Sequence, residues 1–131
     1  MSSSDRVQSF KVASTLSAQR IVAITAAETV GYPASNQALP IGITADTVLD
    51  TTQAIPVYTP GSIVKLYFND TVSAAGLVSS DSSGRGVPFT LANTTTALTL
   101  ASAYVGVLVG AAVAATGTIA NVLIAPGFDR E

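Results

Sequence analysis

The chain has 131 residues and a mass of 13.2 kDa, which is the length of a single domain. Hydrophobic residues make up 48% of it and charged residues only 11%, less than half of the usual charged share. Cysteine is absent, which excludes a disulfide framework, a thiolate metal site and a cysteine nucleophile. A chain with so little charge is expected to pack against other protein chains rather than stay alone in solution.

Strand signals recur along the chain, whereas helix signals are nearly absent. Short runs rich in Val, Ile, Thr and Tyr alternate with Gly, Pro, Asn and Asp, which is typical of a small barrel or sandwich. The predicted strands are residues 20–26, 39–45, 54–58, 62–68, 72–80, 86–91, 104–113 and 118–125. The pattern therefore predicts an all-β fold of about seven to nine short strands.

Prolines and one alternating strand add detail to this prediction. In residues 62–68, Val64, Leu66 and Phe68 alternate with more polar positions, as in a strand with one buried face. Pro40 and Pro56 lack an amide donor, which predicts a sheet edge or a bulge at each position. The pair Pro126-Gly127 is expected to end the ordered structure.

Residues 101–126 contain no charged side chain and are long enough to be tested as a membrane span. Glycine, threonine and asparagine interrupt this run, and no belt of Lys, Arg, Trp or Tyr marks its C-terminal end. Its larger apolar residues are mostly β-branched, and the run falls into two halves around residues 114–117. We therefore expect a buried β-hairpin here and no membrane partner.

The first fifteen residues differ from the rest because their apolar residues are sparse. Such a segment buries too little surface to offset the entropy of ordering it. We expect residues 1–15 to form an extended N-terminal arm and residues 16–131 to form one β domain. The start of the chain also lacks the basic and then apolar layout of a signal peptide, so we expect synthesis without export.

Residues able to do chemistry are scarce. The chain has no histidine, and neither Lys11 nor Lys65 lies in a nucleophile motif. Asp46 and Asp50 lack the dense oxygen ligands of a calcium loop, so they are interpreted as turn caps. Residues 81–86 (DSSGRG) lack the lysine and the following helix of a phosphate-binding loop. We therefore expect no enzyme activity, no metal and no cofactor.

The order of the short motifs carries a resemblance. Residues 54–62 (AIPVYTPGS) precede a strand, and VSAAGLV at 72–78, SDSSGRGV at 80–87 and ATGTIANVLIAP at 115–126 follow it. Over about residues 20–127 the chain resembles small tailed-phage proteins of the head decoration (capsid cement) type. The resemblance implies a β-barrel or β-tulip fold, a homotrimer, and binding to the outer surface of the capsid.

The resulting hypothesis is a non-catalytic virion protein, made in the host cytoplasm, that binds the major capsid protein as a homotrimer and stabilises the shell. Scattered basic residues and a formal net charge of −2 predict no nucleic-acid partner. The predicted capsid contacts are Ser3, Ser4, Asp5, Arg6, Val7, Gln8 and Phe10. The predicted trimer contacts are Tyr104, Val107, Val109, Val113, Ile119, Val122 and Ile124.

Two other functions stay open at this point. One is a carbohydrate-binding or adhesin-like β-domain, for which Tyr32, Tyr58 and Tyr104 are the candidate residues to stack on sugar rings. The other is a membrane-inserting coat component built on residues 101–125.

Overall fold

The computed structural model describes residues 7–33, 40–89 and 102–129, and these contain β-strands and no helix. The strands are β1 Val7–Val12, β2 Ile21–Ala26, β3 Thr29–Gly31, β4 Pro40–Thr44, β5 Ile55–Tyr58, β6 Ile63–Tyr67, β7 Leu77–Ser80, β8 Gly86–Pro88, β9 Ser102–Leu108 and β10 Ile119–Asp129. The predicted all-β fold class is confirmed. None of the described residues belongs to a helix that is long and hydrophobic enough to cross a membrane.

The first five strands form a small closed barrel in the order β1–β3–β2–β4–β5. Strand β1 closes it, because this strand pairs in parallel with β3 and antiparallel with β5. The segment between β1 and β2 is joined to the segment between β4 and β5 by an antiparallel bridge of Leu16 with Val48. The barrel core consists of Val12, Leu16, Val22, Val30, Val48, Ile55 and Val57.

The last five strands form an antiparallel sheet in the order β6–β10–β9–β7–β8. This sheet is rolled, since Phe68 at the end of β6 forms a bridge with Gly86 at the start of β8. The two edge strands of the sheet therefore meet at one end.

Barrel and sheet are joined by a second apolar cluster, the shared core. The barrel contributes Ile21 and Ile43, which pair with each other across β2 and β4. The sheet contributes Val64, Leu66, Phe68, Val72, Val78, Val105, Leu108, Val113, Val122 and Ile124. Alternation explains the two cores, because Ile21 faces the sheet while the next residue, Val22, faces the barrel interior.

Several strand predictions need correction at their ends. Pro126-Gly127 does not end ordered structure, because β10 continues to Asp129 past an irregularity between Ile124 and Gly127. Strand β9 ends at Leu108 rather than at residue 113, and Val113 instead bridges to Val72. The pairing of β9 with β10 confirms the predicted hairpin in residues 101–126.

Candidate interaction surfaces

The rolled sheet carries a row of aliphatic side chains on the face turned away from the shared core. Ile63 on β6 pairs with Leu123 on β10, Leu123 with Val107 on β9, and Val107 with Leu77 on β7. Residues directly opposite each other on paired strands project from the same face. These four side chains therefore form one continuous row across four strands, and Ile63 is 50% exposed.

Two further rows extend this surface. Lys65 lies opposite Asn121, and Tyr67 lies opposite Ile119, which is 47% exposed. The backbone N–H of Val109 donates to the carbonyl of Asn121 at 2.9 Å. We call these side chains the outer sheet face: Ile63, Lys65, Tyr67, Leu77, Val107, Val109, Ile119, Asn121 and Leu123. Lys65 is its one charged member, so covering this face removes little charge from water.

The residues predicted as trimer contacts divide into two groups. Val113, Val122 and Ile124 lie in the shared core and are at most 3% exposed, so their side chains serve the interior of a single chain. The other four reach the surface, and Val107, Val109 and Ile119 belong to the outer sheet face. Tyr104 is half-buried, with its ring edge-on to Phe89 at a centroid distance of 5.5 Å.

Four of the residues predicted as capsid contacts lie outside the described ranges: Ser3, Ser4, Asp5 and Arg6. The rest lie on β1, where Val7 pairs with Tyr58 and Gln8 with Val57. Val7 is 53% exposed, whereas Phe10 packs against the barrel core.

An apolar groove lies beside Gln8, where the barrel meets β10. Its volume is about 600 Å³, and its lining comprises Gln8, Pro40, Ile41, Thr59, Pro60, Ala125 and Pro126. Three of these residues are prolines, which offer no backbone donor. A partner in this groove would therefore be held mainly by apolar contact.

Arg20 is a residue whose role the sequence did not reveal. Its guanidinium lies over the Tyr67 ring at 4.8 Å from the centroid, and its Nε is buried without a hydrogen-bond partner among the described residues. The backbone around it is fixed, because Arg20 N–H donates to Thr44 Oγ1 at 3.0 Å and Tyr67 N–H donates to the Gln19 carbonyl at 3.0 Å. Arg20 is thus a held cation beside the outer sheet face.

The connection between β4 and β5 carries the opposite charge. Leu49 is 78% exposed, the highest value for a large hydrophobic side chain in the described ranges, and Asp46 and Asp50 flank it. Asp46 Oδ1 accepts the Thr47 N–H at 2.8 Å and Asp50 Oδ1 accepts the Thr52 N–H at 2.9 Å, which confirms the predicted turn caps. Hydrogen bonds from Thr52 lower the pKa of Asp50 below its ordinary value.

Residues 81–86 form a self-contained turn between β7 and β8. Asp81 Oδ1 accepts the N–H groups of Ser83 and Arg85, each at 2.9 Å. Arg85 Nε donates to Asp81 Oδ2 at 2.8 Å. An anion of the chain itself thus takes the donors that a phosphate would need, which agrees with the interpretation of a surface turn.

The architecture defined by these observations is a two-part all-β module, a closed barrel packed on a rolled sheet. It is shared with the head fiber gp8.5 N base of bacteriophage phi29, with a TM-score of 0.64, 14% sequence identity, and coverage of 92% of this chain and 94% of that one. At this identity the likeness shows a common fold. No family model and no curated protein sequence matches the chain.

Proposed function

We propose that this protein is a structural component of a tailed-phage head, which binds the outer capsid surface as a homotrimer and stabilises the shell. The observation that carries the proposal is the fold shared over nearly the whole chain with a head fiber base. The motif resemblance to head decoration proteins supports the same class of protein from the sequence.

The outer sheet face supports an assembly role. A contiguous apolar patch on a small soluble domain usually marks a surface that another protein covers. Here the aliphatic row crosses four strands in register, and two of its neighbours, Val109 and Ile119, are 40% and 47% exposed. A trimer that binds a symmetric shell gains avidity from several contacts made together, so no single contact needs to be strong.

The start of β1 supports a place for the capsid contact. Val7 and Gln8 are exposed, and Gln8 lines the apolar groove between barrel and sheet. We propose that residues 3–10 contact the major capsid protein from this side. No catalytic step is part of the proposal, because the chain has neither histidine nor cysteine and Asp81 and Arg85 are occupied with each other.

The sugar-binding alternative gains no support from its candidate tyrosines. The Tyr32 hydroxyl accepts the Ser17 N–H at 2.8 Å, and Tyr58 packs against the shared core. Tyr104 packs against Phe89. A sugar platform needs an open aromatic face, and each of these rings is partly buried in contacts of its own.

Co-sedimentation of the purified protein with expanded and unexpanded tailed-phage heads tests the proposal. The deletion must stop at residue 6, because removing residues 7–9 would take away half of β1. We expect deletion of residues 2–6 together with Val7→Ser to weaken binding at least tenfold, while Ile24→Ser, another half-exposed aliphatic on the barrel, leaves binding unchanged.

Cryo-electron microscopy of the bound heads then reads out position and symmetry. Density over three-fold or quasi-three-fold positions of the outer surface is the expected result. Wild-type protein that stays in the supernatant with every head form, at tens of micromolar, would overturn the proposal.

A further inference from the structure

We propose that copies of this chain join head to tail, with the loop of residues 46–50 of one copy seated on a patch around Arg20 of the next. The Arg20 patch consists of Arg20, Tyr67, Lys65 and Ile63. The inference rests on the homotrimer of the proposed function and specifies the residues through which neighbouring copies touch. The occupant of the patch is a second copy of this chain.

The Arg20 patch lacks an anion. Arg20 and Lys65 have no ion-pair partner among the described residues, whose ion pairs join Lys11 to Glu28 and Arg85 to Asp81. Arg20 Nε is buried and has no acceptor among the described residues, so no carboxylate in that part of the chain neutralises this guanidinium. Gln19 and Lys65 also line a shallow cavity of about 310 Å³ with Ile63, which leaves room for a side chain beside Lys65.

The loop of residues 46–50 offers the matching groups. Leu49 projects an apolar side chain that is 78% exposed, and the carboxylates of Asp46 and Asp50 stand on either side of it in the sequence. Neither carboxylate has a cationic partner in the described part of the chain. The bridge between Leu16 and Val48, with backbone hydrogen bonds of 3.0 and 2.8 Å, anchors the loop to the barrel, so little ordering entropy is lost on docking.

Charge complementarity selects a second copy as the occupant. Within the described ranges, one region has two cations without an ion-pair partner near exposed Ile63, and another has two carboxylates without one near exposed Leu49. The loop and the Arg20 patch consist of different residues, and they adjoin at Ala45, which lines the same cavity as Lys65. A contact between the loop of one copy and the patch of the next is heterologous, and such a contact makes a ring where its rotation closes. Leu49 then enters the edge of the outer sheet face, next to Ile119, which lies opposite Tyr67.

Sedimentation velocity of four variants tests the contact. Arg20→Met and Leu49→Ser are each expected to raise the dissociation constant of the homo-oligomer at least tenfold. Lys11→Met and Ile24→Ser, which change an exposed cation and an exposed aliphatic outside both regions, are expected to leave it unchanged. Wild-type self-association in both Arg20→Met and Leu49→Ser would overturn the inference.

The absence of native cysteine permits a second test that does not depend on stability. Chains with Leu49→Cys and chains with Lys65→Cys are mixed and treated with a short bis-maleimide. We expect cross-linked dimers from the mixture, covalent rings from the double variant, and no product from either single variant alone. Products from Leu49→Cys alone, or none from the mixture, contradict a head-to-tail contact.

Head binding by the wild-type protein, measured in parallel, separates the two proposals. Cross-linked rings without head binding would remove the proposed function and leave the contact standing. Head binding without the cross-link would remove the contact alone.

Discussion

The barrel and the rolled sheet bury apolar residues by the same alternation but differ in what covers their other face. In the barrel, the inward residues close on one another, and the exposed aliphatics Val7, Ile24 and Leu49 lie on three separate segments. In the sheet, the inner face is covered by Ile21 and Ile43 of the barrel, while the outer face holds a contiguous aliphatic row. The barrel is complete within one chain, and the sheet has a second face suited to a partner.

The largest losses of stability are expected at two glycines, one in the barrel and one in the sheet, where the backbones of two strands approach closely. A side chain added at Gly42 in the barrel would overlap the Tyr58 carbonyl oxygen, and one at Gly106 in the sheet would overlap the Leu123 carbonyl oxygen. Both glycines lie on strands paired on both sides. We expect Gly42→Ala and Gly106→Ala each to lower the free energy of unfolding by more than about 3 kcal/mol, measured by urea denaturation.

Asn121→Ala, on an exposed position of central strand β10, is the matched control and should cost less than about 1 kcal/mol. If either glycine variant loses no more free energy of unfolding than this control, the close approach of the strands does not limit stability.

Two buried leucines test whether the regions unfold together. Leu16 belongs to the barrel core and Leu66 to the shared core, and both are at most 2% exposed. Leu16→Ala and Leu66→Ala should each cost about 2–5 kcal/mol. Because Ile21 and Ile43 join the regions, we expect one cooperative transition in both variants, followed by circular dichroism and by NMR signals from each region. Separate transitions for barrel and sheet would contradict this expectation.

Two buried hydroxyl groups, one in each region, test the comparison through smaller expected losses of stability. Thr44 Oγ1 in the barrel donates to the Ser17 carbonyl at 2.7 Å and accepts the Arg20 N–H at 3.0 Å. Among the described residues, Ser79 Oγ in the sheet makes one hydrogen bond, to the Ala103 carbonyl at 2.8 Å. Thr44→Val should cost about 1–3 kcal/mol, since it leaves two groups without partners, and Ser79→Ala about 1 kcal/mol. Equal losses in thermal unfolding would show that the second hydrogen bond adds nothing.

The smallest effect is the pH dependence of Asp50. Its pKa is lowered in the folded state, first by the backbone and then by the side-chain hydrogen bond from Thr52. The stabilisation is therefore complete above the ordinary carboxyl pKa and is lost as the pH falls through the lowered folded value. An NMR titration should place the Asp50 midpoint below 3.8, and Asp50→Asn should flatten the stability profile in that acidic range. An Asp50 midpoint at or above the ordinary value would contradict the assignment.

Most strands could be predicted from the sequence because their own residues carry the signal. In β6, exposed and buried side chains alternate without exception from Ile63 to Leu66, as the pattern predicted. In β1, Phe10 and Val12 share the inward face but Val7 is out of phase with them. Two apolar residues carry too weak a signal, and pairing with β3 and β5 makes this segment a strand. Strand β3 has three residues, too few to show any period.

The candidate surfaces were harder to predict, for a tertiary reason. The charge-free run suggested exposed trimer contacts, but composition cannot separate an apolar residue in a core from one on a face. Val122 and Leu123 are neighbours, yet the first is fully buried and the second lies on the outer sheet face. The sequence does not single out Arg20 or Leu49, because the stacking of Arg20 on Tyr67 and the exposure of Leu49 are set by the tertiary fold.

The position of β10 sets the order in which the molecule can be built. All five barrel strands come from residues 7–58, whereas β10, the last strand, lies between β6 and β9. On a ribosome, the barrel residues emerge first and can close, as early-made units generally do. The second half must wait until its final strand has left the exit tunnel, and Ile21 and Ile43 stay uncovered during that interval. A pause in translation after residue 58 would therefore lengthen the time in which nascent chains are open to chaperones.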